Sequence, residues 1–176
     1  MSTIGKALRI LSLKKYLYKE GDFCTNFTGG WEDKKLPYFS GSSTTATLTI
    51  TSNADNVQVD SEYKSTNQPN RGNVYATVNA IDVSKYKTLY FDCAIAGSGN
   101  SSVFVTVFDP SVTYLKSDNA IAETQIKSSG TINPAVRQTY SLDITEATGS
   151  VDIGVRFYMY TSYPKAYLTI YNVWME

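Results

Sequence analysis

From about residue 16 to the C-terminus the chain reads almost without interruption as short β-strands, and that pattern leaves few folds open. The clearest segment runs from Val151 to Tyr160. Its odd positions, Val151, Ile153, Val155, Phe157 and Met159, are all apolar. Its even positions, Asp152, Gly154, Arg156, Tyr158 and Tyr160, are mostly polar or carry a polar-tipped ring. A strand sends alternate side chains to opposite faces, so this segment has one core face and one tyrosine-bearing face.

The same alternation recurs. Leu89, Phe91, Cys93 and Ile95 alternate with Tyr90, Asp92 and Ala94, and Val103, Val105 and Val107 with Phe104, Thr106 and Phe108. Further strands are expected at Tyr16–Lys19, Thr45–Thr51, around Val57 and Val59, at Val74–Val78, at Arg137–Ile144 and at Ala166–Trp174. Gly29-Gly30 marks a turn or bulge, and Asp109-Pro110 ends a strand because proline has no N–H for a ladder. Residues 64–73 read as a polar loop, a second contact region through Asn67, Gln68, Asn70 and Arg71. Eight to ten strands without intervening helices imply an all-β antiparallel β-sandwich of jelly-roll type, its last strand central and paired. Residues 2–15 are the one helix candidate. Ile4, Leu8 and Leu11 form an apolar stripe, and Lys14 and Lys15 sit where the helix dipole favours cations. The expected division is therefore an attachment segment over residues 1–15 and a sandwich over 16–176.

Composition excludes several chemistries. Histidine is absent among the 176 residues, which removes Ser-His-Asp and Cys-His mechanisms and His-ligated metals. Two cysteines, Cys24 and Cys93, cannot build a disulfide scaffold or a four-thiolate metal site; one bridge between them is an alternative, but Cys93, on an apolar strand face, is expected as a buried free thiol. Sixteen basic residues balance sixteen acidic ones, which argues against nucleic acid or an anionic membrane as partner. No apolar run is long enough to span a bilayer, and no signal peptide is evident. Asp82 and Asp143 are read as turn carboxylates rather than a catalytic pair.

Three stretches together carry a family likeness: Ile81-Asp82-Val83-Ser84-Lys85-Tyr86-Lys87-Thr88-Leu89-Tyr90-Phe91; Tyr140-Ser141-Leu142-Asp143-Ile144 leading to Ser150-Val151-Asp152-Ile153-Gly154; and Ile170-Tyr171-Asn172-Val173-Trp174-Met175-Glu176. They resemble the β-sandwich domains of carbohydrate-binding modules. With Tyr16-Leu17-Tyr18-Lys19-Glu20-Gly21-Asp22 and Thr28-Gly29-Gly30-Trp31, the chain is similar to a small domain of tail-associated proteins in phages and prophages of gut Firmicutes. The resemblance implies a non-enzymatic module that recognises a host cell-surface glycan, together with other virion proteins and sister subunits, a homotrimer by analogy. It would reside in the virion, or in the bacterial cytoplasm before assembly. The alternatives are an accessory module of a polysaccharide-degrading system and a purely architectural virion protein. Such modules often hold a structural calcium ion, for which Glu20, Asp22 and Asp143 are the candidate carboxylates, set against solvated turn residues.

Sugar binding needs aromatic faces for the apolar side of a ring and polar groups for its hydroxyls. The non-core positions Tyr90, Asp92, Arg156, Tyr158 and Tyr160 offer that chemistry on one expected face. Trp31 and Trp174 are expected in the core.

Overall fold

The computed structural model describes residues 14–24, 27–33, 36, 47–62, 70–78, 83–99, 101–114, 116–128, 130–159 and 165–176. Twelve strands occur among them: β1 (Lys15–Lys19), β2 (Asp22–Phe23), β3 (Phe27–Asp33), β4 (Thr47–Ser52), β5 (Val57–Glu62), β6 (Asn70–Val78), β7 (Thr88–Ser98), β8 (Ser101–Phe108), β9 (Ala122–Lys127), β10 (Ile132–Asp143), β11 (Val151–Met159) and β12 (Lys165–Met175). They form two antiparallel sheets. The larger has the order β10-β7-β12-β1-β2, with β5 and β4 continuing beside the first half of β12; the smaller has the order β3-β6-β11-β8-β9. As expected, the last strand is central: β12 has β7 along one side and β5 then β1 along the other.

The core lies between the sheets and follows the alternation. Leu89, Phe91, Cys93 and Ile95 of β7 face Val103, Val105 and Val107 of β8 and the odd residues Val151 to Phe157 of β11, all buried. Each such side chain adds about 1.5–3 kcal/mol of apolar burial. Trp31 is core as expected, edge-on to Tyr18 and Phe91.

Irregularities then set which side chains leave the core. In β12, Ile170 and Val173 both point inward although three residues apart, because a bulge between Ile170 and Asn172 shifts the register against β7. Another bulge, between Tyr16 and Tyr18 of β1, turns Leu17 and Tyr18 both into the interior. The β1–β2 hairpin turns through Glu20 (φ 47°) and Gly21 (φ 92°), the positive-φ pair of a type I′ turn. The turn is locked in place. Glu20 N–H donates to the Tyr171 carbonyl at 2.9 Å, and a Cβ on Gly21 would stand 2.6 Å from the Ala54 carbonyl oxygen.

Several expectations change. Lys15, placed at the end of the N-terminal helix, belongs to β1; residues 1–13, which carry the rest of that helix, lie outside the described residues. Asn70 and Arg71 belong to β6, paired with Met159 and Tyr158, while Asn67 and Gln68 lie outside the described residues. Ala122–Lys127, not among the expected strands, forms β9. Asp143 is the expected turn carboxylate: its Oδ1 accepts from Thr145 N–H at 2.9 Å and from the Thr145 hydroxyl.

Candidate functional site

Of the five sequence-predicted site residues, the four that are described do not share a surface. Tyr90 and Asp92 sit on β7 and face outward from the larger sheet. Arg156 and Tyr158 sit on β11 and face outward from the smaller sheet, on the opposite side of the sandwich. Tyr160 lies outside the described residues. Arg156 is buried, its side chain 3% exposed. Its guanidinium donates to both Glu123 carboxylate oxygens, reaches the Ser117 hydroxyl at 3.3 Å, and stacks 4.3 Å from the Phe104 ring centroid. The chain between β8 and β9 folds back over this face. Val112 and Ala120 pack on Phe108, and Thr106 and Asp152 are buried as well.

The outer face of the larger sheet is different. Across one row, Ser141 of β10, Tyr90 of β7, Trp174 of β12 and Tyr16 of β1 are successive cross-strand partners. The Tyr90 and Trp174 rings stack with centroids 5.0 Å apart and planes within 9°, and Tyr16 meets Trp174 at 6.0 Å. Lys14 Nζ lies 3.9 Å from the Trp174 ring centroid and 4.8 Å from that of Tyr16. Stacking on one face and the ammonium contact fix the indole's orientation. Trp174 is thus half-buried on the outer surface and not in the core, because the bulge before it reverses the alternation.

One row further, Thr139, Asp92, Asn172 and Lys19 are partners in turn. Asp92 accepts from Arg137 at both oxygens (Nε to Oδ1 2.9 Å, Nη2 to Oδ2 2.6 Å) and from Asn172 Nδ2 at 2.7 Å. Burial pushes its carboxyl up, but the hydrogen bonds from Arg137 and Asn172 and the charges of Arg137 and Lys14 outweigh this and hold it below the usual carboxylate range. Arg137 also lies 3.9 Å over the Tyr171 ring, and its side chain stays 51% exposed. A half-exposed guanidinium gripped on one edge and one face is a pre-oriented donor. Asp92, with both oxygens committed, is a brace and not an acid–base group.

Beyond this row the floor becomes small, with Ala94, Thr169 and Ala96. The face then ends in a cleft of ≈ 300 Å³ lined by Ala96, Ser98, Thr131, Asn133, Lys165 and Tyr167, among others. Tyr167 is 39% exposed. Behind the cleft, Lys127 is 2% exposed and its ammonium donates to the carbonyls of Ser101, Ser128 and Gly130 at 2.8–3.0 Å. This internal cation fixes the β9–β10 turn that leads into the cleft wall. Among the described residues no group of three or more His, Cys, Asp or Glu side chains gathers in a metal-holding arrangement, so Glu20, Asp22 and Asp143 do not form one.

Of the residues that complete this face, Trp174 was assigned to the core from the sequence, and Arg137, Asn172 and Tyr16 were not singled out as site residues. The one available signal was the three-residue step from Ile170 to Val173, which marks a bulge. Arg137 reaches Asp92 from 45 residues away, which no local pattern reveals.

The fold these elements define is the antiparallel β-sandwich of carbohydrate-binding modules. The chain is similar to the carbohydrate-binding module TmCBM61, solved in complex with β-1,4-galactotriose, at a TM-score of 0.51 and 10% identity over 92% of this chain and 99% of that one. A family 29 carbohydrate-binding module is similar at 0.47 and 10% identity, over 92% and 86% of the two chains. The enzymatically active domain of tailspike protein 4 of bacteriophage CBA120 is similar at 0.45 and 11% identity, over 85% of this chain and 19% of that one. No protein-family model matches the chain, and no curated protein matches it by sequence.

Proposed function

We propose that this sandwich is a non-catalytic carbohydrate-binding module whose glycan lies on the outer face of the larger sheet. The observation that carries the reading is the braced set on that face: Tyr90 and Trp174 stacked beside an Arg137 guanidinium held by Asp92 and Tyr171. Rings fixed in place offer apolar surface to the C–H side of a sugar, and an oriented guanidinium donates to its hydroxyls at little ordering cost. The fold likeness to a module solved with β-1,4-galactotriose supports a saccharide ligand. The role we assign is recognition of a host surface glycan on a phage or prophage tail, with residues 1–15 as the attachment segment; the support for that role is the sequence resemblance.

The test is a titration of the purified protein with bacterial cell-wall and capsular glycans, with and without calcium, read by tryptophan fluorescence. Of the two tryptophans, Trp31 is buried and Trp174 is on the proposed site. Saturable binding should change the emission, and Trp174→Phe should remove that change. A folded protein that binds no glycan would overturn the reading in favour of an architectural role.

A further inference from the structure

The larger sheet ends on one side in β10, twelve residues long, whereas its other side is divided between two-residue β2 and six-residue β4. Among the described residues β10 pairs with β7 alone. Its register is unbroken from Val136 to Asp143, and residues 133–139 are all exposed, with Val136 at 63%. A strand of this length with a free row of N–H and C=O groups is a template for pairing, and folded proteins normally blunt such edges with lysine, proline or a covering element. Here the single proline, Pro134, precedes the regular stretch, and no lysine is present. The one cation, Arg137, leans across the outer face onto Asp92 of the neighbouring β7.

We propose that β10 is a self-association edge, occupied by β10 of a second copy of this chain in an antiparallel twofold pairing. The strand's own charges fit that occupant. A twofold axis at Tyr140 pairs the seven residues Arg137 to Asp143 and sets Arg137 of each copy opposite Asp143 of the other, with Gln138 opposite Leu142 and Thr139 opposite Ser141. In this register neither of the strand's two charges faces a like charge, the juxtaposition that destabilises a cross-strand pair, while Arg137 keeps its hold on Asp92 and Asp143 its hold on Thr145. The two larger sheets join into one, and their outer faces become one surface. Two copies of any site on that face then stand side by side, a geometry that raises avidity for a repeating polymer. The pairing itself is independent of what that face binds.

The experiment is sedimentation velocity of the full chain over a concentration series, with hydrogen exchange at its two ends. The wild type should pass from monomer to dimer, in the weak range expected for a small interface, and β10 amides should exchange more slowly at high concentration. Along an edge strand alternate residues donate to the neighbouring strand and to solvent. Of Gln138→Pro and Thr139→Pro, one therefore breaks the β7 ladder and the other removes only a free edge N–H. The variant that keeps the wild-type melting temperature should stay monomeric throughout. A wild type that is monomeric at millimolar concentration would overturn the proposal. So would association unchanged in the folded proline variant, or an oligomer (a trimer included) without concentration-dependent protection of β10.

Discussion

Replacing Asp92 by Asn tests whether the carboxylate braces the outer face. The substitution keeps the side-chain shape and removes the charge. Three donors converge on Asp92, two from Arg137 and one from Asn172, so the new amide must set its own N–H₂ against at least one of them. A hydrogen bond to a charged group contributes about 1.5–3 kcal/mol when buried. The Asp92 side chain is 10% exposed but that of Arg137 is 51% exposed and rehydrates readily, which discounts its share towards the surface range. The net expected loss is about 1–2 kcal/mol, read by urea unfolding at neutral pH. The pH dependence supplies the sign. A carboxyl held below its ordinary value of about 3.9 contributes stability that is fully present above that value and is lost as pH falls through the lower folded value. The gap between wild type and Asp92→Asn should therefore narrow below about pH 4. Equal stability at neutral pH, or a gap that persists undiminished into strong acid, would refute the brace.

Three further outcomes follow from the interior. Lys127→Met strands three carbonyls and should cost about 2–4 kcal/mol, measured by thermal unfolding, with local loosening of residues 130–132 in hydrogen exchange. Arg156→Met leaves the Glu123 carboxylate, 13% exposed, without its partner, and should cost about 3 kcal/mol; adding Glu123→Leu should recover much of it. Burial, with the neighbouring Asp92 charge, pushes the Cys93 thiol well up, so a thiol reagent should titrate at most one cysteine, Cys24, in the native protein and both after unfolding.

The sandwich was legible because its strongest strands are strictly periodic. β7, β8 and β11 place their alternate apolar residues in the core as their patterns require. Alternation separates the two sides of a strand but does not say to which sheet the strand belongs. Tyr90 and Tyr158 therefore looked equivalent, although they lie on opposite surfaces. Nor does alternation show that a non-core face is open. Arg156 has the pattern of an exposed residue but is covered by the connection from β8 to β9, where Phe108, Val112 and Ala120 form an apolar patch of their own. Bulges account for the rest. One residue added in β12 turns Trp174 from an expected core residue into the centre of the outer face.

The most direct test of the account compares two variants for binding to whichever glycan the wild type recognises. Tyr90→Ala combined with Trp174→Ala removes the stacked rings of the larger sheet, and Tyr158→Ala alters the opposite surface. The double variant, folded by circular dichroism, should lose binding by at least an order of magnitude while Tyr158→Ala binds as the wild type does. Retained binding in the double variant, or loss in Tyr158→Ala alone, would contradict it.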